Sequence, residues 1–178
     1  RVTVTGAGSV WTNFGTIRLG NAYTAGNRMD INDGGTLYAS PLEVRSNAVL
    51  SLDSGAVIAD VEVDEQGRVQ GNGAIVGDVT MSGELAPGLS AGLLAVTGSV
   101  TMADAAELGM EIGGTNEVQH DRLLVSGTLT YDGTLTVSLI DAFDPAAGDR
   151  FQLFEAGAVA GSFDTRSLPG LDAGLQWD

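Results

Sequence analysis

Short triplets in which two apolar residues flank a polar one recur along the chain: Val2-Thr3-Val4, Ile17-Arg18-Leu19, Met29-Asp30-Ile31, Leu42-Glu43-Val44, Val61-Glu62-Val63, Val79-Thr80-Met81 and Val100-Thr101-Met102. Successive side chains of a strand point to opposite faces, so each triplet puts its outer pair on one face and its middle residue on the other. The spacing is the strongest constraint. Leu42 to Val61 is 19 residues, Val61 to Val79 is 18, and Val79 to Val100 is 21. A period near 20 marks a solenoid in which each repeat forms one coil. One triplet cannot bury its apolar face alone. Stacked every ~4.8 Å, triplets pair their backbones and align their inward side chains. The expected fold is an all-β parallel β-helix (β-solenoid), with Glu62 and Thr80 pointing outward.

The turn signals agree. Asp33-Gly34-Gly35, Asp53-Ser54-Gly55, Gln66-Gly67, Gly71-Asn72-Gly73, Gly77-Asp78, Ser82-Gly83, Pro87-Gly88, Thr97-Gly98 and Gly113-Gly114 punctuate the triplets. Glycine supplies the positive φ that tight corners demand. Gly71-Asn72-Gly73 lacks the further glycine and the following helix of a nucleotide loop, so it reads as a corner. The rungs are expected over 1–115, less regularly over 1–40, with 116–178 as a C-terminal cap. There, longer alternating strands flank Asp132-Gly133, a two-residue signal that predicts a β-hairpin.

Charge narrows the function classes. Twenty-three acids face eight bases, all arginine, for a net charge of −15. Such a surface repels nucleic acid and anionic lipid. Cysteine is absent, which removes disulfides and thiolate metal sites. No stretch reads as a membrane-spanning helix. The opening RVTVTG reads as strand from its first residue, so a processed or cropped mature segment is expected.

The stretch GNGAIVGDVTMSGELAPGLSAGLLAVTGSVTMADAAELGMEIGG (71–114) continues through 120–157 and 168–178 in an ordered series. It runs G-x-G at 71–73, G-D-V at 77–79, P-G-x-S-x-G at 87–92, E-I-G-G at 111–114, G-D-x-F at 148–151 and L-Q-W at 175–177. This series, about 110 of the 178 residues, resembles the autotransporter-associated β-strand repeat and passenger-type β-helix proteins of bacteria. The resemblance implies secretion, a right-handed parallel β-helix and an extracellular or cell-surface setting. It implies no defined activity, since such solenoids serve as stalks, spacers, adhesins and matrix components.

The chemistry-bearing residues are few. His120, the single histidine, lies among polar residues in EVQHDRLL and reads as a surface turn residue rather than a catalytic base. No catalytic residue and no cofactor site is assigned. Asp60, Glu62 and Asp64 alternate with valines and project outward, and Asp30 and Asp33 sit in DINDGG. These five are the candidate Ca²⁺ ligands, on acidity rather than motif. The acidic stripe with nearby Arg68 also resembles the outer face on which polysaccharide-cleaving β-helix enzymes work. Trp11, Tyr23 and Tyr38 are candidate sugar-stacking residues, set against ordinary packing. Two function classes follow. One is a non-catalytic extracellular structural protein, whether fibre, stalk, matrix or adhesin component, which self-associates head to tail into filaments or contacts other surface proteins. The other is a module that binds or cleaves glycans.

Overall fold

The structure, a computed structural model, describes residues 1–21, 23 and 25–177. Among them there is no helix, hence none long and apolar enough to cross a membrane. The strands are β1 (Val2–Thr5), β2 (Val10–Thr12), β3 (Ile17–Leu19), β4 (Asn27–Asn32), β5 (Thr36–Tyr38) and β6 (Leu42–Val44). Next come β7 (Ala48–Ile58), β8 (Val61–Val63), β9 (Arg68–Val76), β10 (Val79–Met81), β11 (Glu84–Pro87) and β12 (Leu93–Val96). The last six are β13 (Val100–Met102), β14 (Glu107–Ile112), β15 (Arg122–Tyr131), β16 (Thr134–Leu139), β17 (Phe154–Gly161) and β18 (Thr165–Ser167).

Every strand-to-strand ladder is parallel, and each joins a strand to the equivalent strand one coil away. The chain is a parallel β-solenoid with three ladders, not a closed barrel. The first ladder carries Ile17, Leu42, Val61, Val79, Val100, Leu129 and Val159 in one register column. The second carries Val2, Met29, Leu50, Val69, Leu85, Leu108, Leu135 and Arg166. The third carries Trp11, Leu37, Val57, Ile75, Val96, Val125 and Ala156. Between the end coils these residues are nearly all buried, and Leu37, Leu42, Leu50, Val69, Leu85 and Leu108 are almost wholly hidden from solvent. Full burial of such a side chain is worth about 1.5–3 kcal/mol, so these columns are the main source of stability. The alternation holds as the triplets require: β8, β10 and β13 each bury their outer residues and expose Glu62, Thr80 and Thr101.

Close coil stacking dictates particular glycines. The segment 71–73 is strand within β9, not the corner its glycines suggest. Gly71 has φ +112, and a Cβ there would sit 1.9 Å from the Leu52 carbonyl oxygen of the coil above. Gly71→Ala must move that backbone, and is expected to cost about 1–3 kcal/mol, read as a lower midpoint in thermal unfolding. Asp132-Gly133 is a second correction. The strands it joins, β15 and β16, do not pair with each other; each pairs in parallel with strands of neighbouring coils. Gly133, at φ +61, turns a solenoid corner directly against the Ala106 carbonyl, which a Cβ would approach to 2.3 Å. The same left-handed glycine that closes a hairpin closes this corner, so among the described residues β15 to β18 form no hairpin and continue the coils.

Where charges stack on the outer faces, guanidinium groups intervene. Glu43 lies in register between Arg18 and Glu62. Arg18 donates to it at 2.7 Å and Arg45 also pairs with it. Burial opposes ionisation of Glu43, but the hydrogen bonds and charges of Arg45 and Arg18 outweigh it and hold the carboxyl below its ordinary range.

Candidate functional site

Coil length is not constant. Val100 to Leu129 spans 29 residues and Leu129 to Val159 spans 30, against 21 for the coil before. Most of the excess falls at one corner, between the second and third ladders, as the segments 88–92, 113–121 and 140–153. These three loops stack on one another because the coils that bear them stack. The middle loop ends in His120 and Asp121, both about 2% exposed.

Asp121 ties this corner together. One carboxylate oxygen accepts from the Gly92 amide at 3.0 Å, at the end of the loop above. The other accepts from the Glu111 amide at 2.8 Å, on β14. Backbone bonds from Asp121 N to Glu111 O and from Arg122 N to Gly92 O, both 2.8 Å, complete the junction. Gly88 leaves room for the carboxylate, since a Cβ there would lie 2.1 Å from it. Burial pushes the Asp121 carboxyl up to about 7, against the two backbone donors. The expectation of a surface histidine is overturned. The His120 ring packs edge-on against Phe151 of the third loop, with centroids 5.9 Å apart. Nδ1 lies 3.2 Å from the Gly114 carbonyl, which can only accept, so Nδ1 carries the proton. Nε2 has no protein partner. Its polar sequence neighbours hid this burial, because strand entry at Arg122 turns His120 under the loop.

Beside this corner, the outer faces of β9, β11, β14 and β16 form a groove of about 640 Å³. Its wall includes Leu89 and Ser90 of the first loop, where Ser90 holds φ +133, a conformation that costs a non-glycine residue energy. Arg68 bonds Glu84 at 2.8 Å, and the Thr136 hydroxyl donates to Glu107 at 2.8 Å. Glu84 and Glu107 are direct register neighbours, a like-charge contact that the arginine and the threonine relieve from either side.

No family model, no curated protein and no solved structure matches this chain. The corner and its groove therefore rest on their own geometry.

The candidate residues of the sequence lie elsewhere. Asp30 is buried between Arg1 and Arg28, whose Nε atoms stand 2.8 and 2.7 Å away. Burial opposes its ionisation, but the two arginines prevail and lower its pKa. Asp33 accepts from the Thr5 hydroxyl at 3.0 Å. Asp60 accepts from the Asp78 amide at 2.9 Å, and Asp64 pairs with Arg45 at 3.1 Å. Glu62 is exposed between Glu43 and Thr80. Among the described residues, a carboxylate group that does converge is Asp104, Asp132 and Asp164, with oxygens within 4.8 Å of one another. Stacked corners bring them together, and repulsion from Asp132, with a hydrogen bond to Asp104, raises the pKa of Asp164. Trp11, Tyr23 and Tyr38 do not form one platform. Trp11 is in register with buried Leu37 and so ends the core column, while Tyr38 faces the other way. Tyr23 is almost fully exposed in the connection between β3 and β4.

Proposed function

We propose that this chain is a non-catalytic structural solenoid of a secreted, cell-surface protein, acting as a stalk or fibre-forming segment. One observation carries the reading: apolar columns run unbroken through the interior coils in three ladders, so the core is a rod that lengthens by ~4.8 Å with each coil. Such a core needs no ligand or disulfide to persist, and its stability grows with coil number. The seven register steps from Val2 to Arg166 give the rod a length of about 34 Å. The ordered glycine motifs of 71–178 support the likeness to bacterial passenger-type proteins, and with it export.

The end coils bear on assembly. Among the described residues, β1, β2 and β3 have a ladder partner on one side only, as do β17 and β18. Both sets present the same three ladders, so a further coil, or a second copy, can add in parallel at either end. Concentration-dependent electron microscopy of the purified chain tests this. Rods whose lengths are multiples of the single particle are expected. Round particles, or rods that never lengthen at millimolar concentration, would count against fibre formation.

A further inference from the structure

The groove beside the corner loops contains a glycine that the fold does not require. Gly109 lies in the middle of β14 and shares its outward face with Glu107 and Glu111. Its φ is outside the left-handed region, and a Cβ placed on it would meet only Glu84 Oε1, at 4.0 Å. A mid-strand glycine without a steric reason lowers stability relative to a β-branched residue. What it does provide is a bare floor. Ala86, one residue beyond the register pair Leu85–Leu108 on β11, extends that floor into the preceding coil.

The groups around the floor are of both hydrogen-bonding senses. Gln70 and Ser138 offer donors and acceptors, and Glu107, Glu111 and the Thr136 hydroxyl, whose proton is on Glu107, offer acceptors. Pro87 and Ile140 add apolar surface. A flat C–H face resting on a bare floor, with hydroxyls bonding on both sides, is the recognition chemistry of a sugar ring. One pyranose is about as long as one coil spacing, ~4.8 Å, so consecutive sugars can follow consecutive coils. The charge selects among sugars. Glu84, Glu107, Glu111, Asp121 and Asp141 line the groove against the single cation Arg68, whose Nη1 is bonded to Glu84. A uronate chain is repelled.

We propose that this groove, with Gly109 as its floor, binds a neutral oligosaccharide running along the solenoid axis. The proposal does not rest on the stalk reading, and either can fail alone.

Titration calorimetry on the full chain with neutral hexasaccharides of glucose, mannose and N-acetylglucosamine, a uronate oligomer and oligolysine tests it. At least one neutral oligomer is expected to bind and the uronate oligomer is not. Gly109→Val fills the floor with a good strand former, so it is expected to weaken binding at least about tenfold while melting at or above the wild-type temperature. Thr136→Val is expected to weaken binding without loss of fold, and Trp11→Ala to leave it unchanged. The proposal is overturned if no neutral oligomer binds, if Gly109→Val binds as wild type does, or if Trp11→Ala abolishes binding. It is also overturned if only oligolysine binds, in a manner that salt removes, since that would mark a simple acidic surface.

Discussion

Val79→Asp is expected to unfold the protein at room temperature, while Thr80→Arg, one residue on, leaves its melting temperature nearly unchanged. Val79 is 1% exposed and stacks between Val61 and Val100 in the first ladder. A carboxylate there has apolar neighbours above, below and across. Burying an unpaired charge costs several kcal/mol, comparable with the whole stability of a domain this size, about 5–15 kcal/mol. Thr80 points outward with Glu62 and Thr101 as its register neighbours. An arginine there meets a carboxylate rather than a core, and the exposed pair contributes about 0–1 kcal/mol. Circular dichroism melts of both variants provide the check. Equal damage from the two substitutions would mean that the faces are not assigned as the registers assign them.

Asp121 sets the second large effect, and its sign is informative. Its carboxyl titrates near 7 in the folded chain, against an ordinary value of 3.8. The folded state therefore holds the proton more tightly than the unfolded state. Its contribution is fully present below about pH 4, declines as pH rises, and is gone above about pH 7, with a slope of at most about 1.4 kcal/mol per unit. Asp121→Asn removes the titration, and its amide turns an NH₂ toward one of the two backbone N–H donors much as the protonated carboxyl turns its O–H, so variant and wild type are expected to be close in stability in acid. Urea unfolding from pH 4 to pH 8 is expected to show the wild type losing stability relative to the variant as pH rises toward 7. Asp30 and Glu43 run the other way, since their arginines lower their pKa values. They lose stability in acid equally in both proteins, so the difference between the curves isolates Asp121. A difference that stays constant, or shifts in the wild type's favour as pH rises, contradicts the assignment.

The coils were legible because their signal is local. A triplet such as Val61-Glu62-Val63 states its own inward and outward faces, and its recurrence states the stacking. The corner was not legible, because it depends on coil length. His120 and Asp121 sit in a polar run that looks like any surface turn, and only stacking of the 113–121 loop between its neighbours buries them. Asp132-Gly133 misled for a related reason: a left-handed glycine makes a tight reversal or a shallow corner, and the choice lies in the partner strand, not in the turn. The acidic candidates rest on acidity within short local segments, whereas carboxylates in a solenoid meet across coils, as Asp104, Asp132 and Asp164 do. The groove shows in sequence only as an unexplained glycine in an otherwise regular strand, Leu108-Gly109-Met110.

The parallel in-register stacking itself can be tested covalently, because the chain has no cysteine of its own. Thr80 and Thr101 occupy the same ladder position in adjacent coils, and Thr130 lies one coil beyond. Residues one coil apart stand ~4.8 Å apart, within the 4.4–6.8 Å Cα range of a disulfide, and residues two coils apart stand at roughly twice that. Oxidation of the double variant Thr80→Cys/Thr101→Cys, read by mass spectrometry of the intact monomer, is expected to give the internal disulfide, while Thr80→Cys/Thr130→Cys stays reduced. Failure of the first pair to close, or closure of both pairs alike, would contradict the stacked-coil architecture.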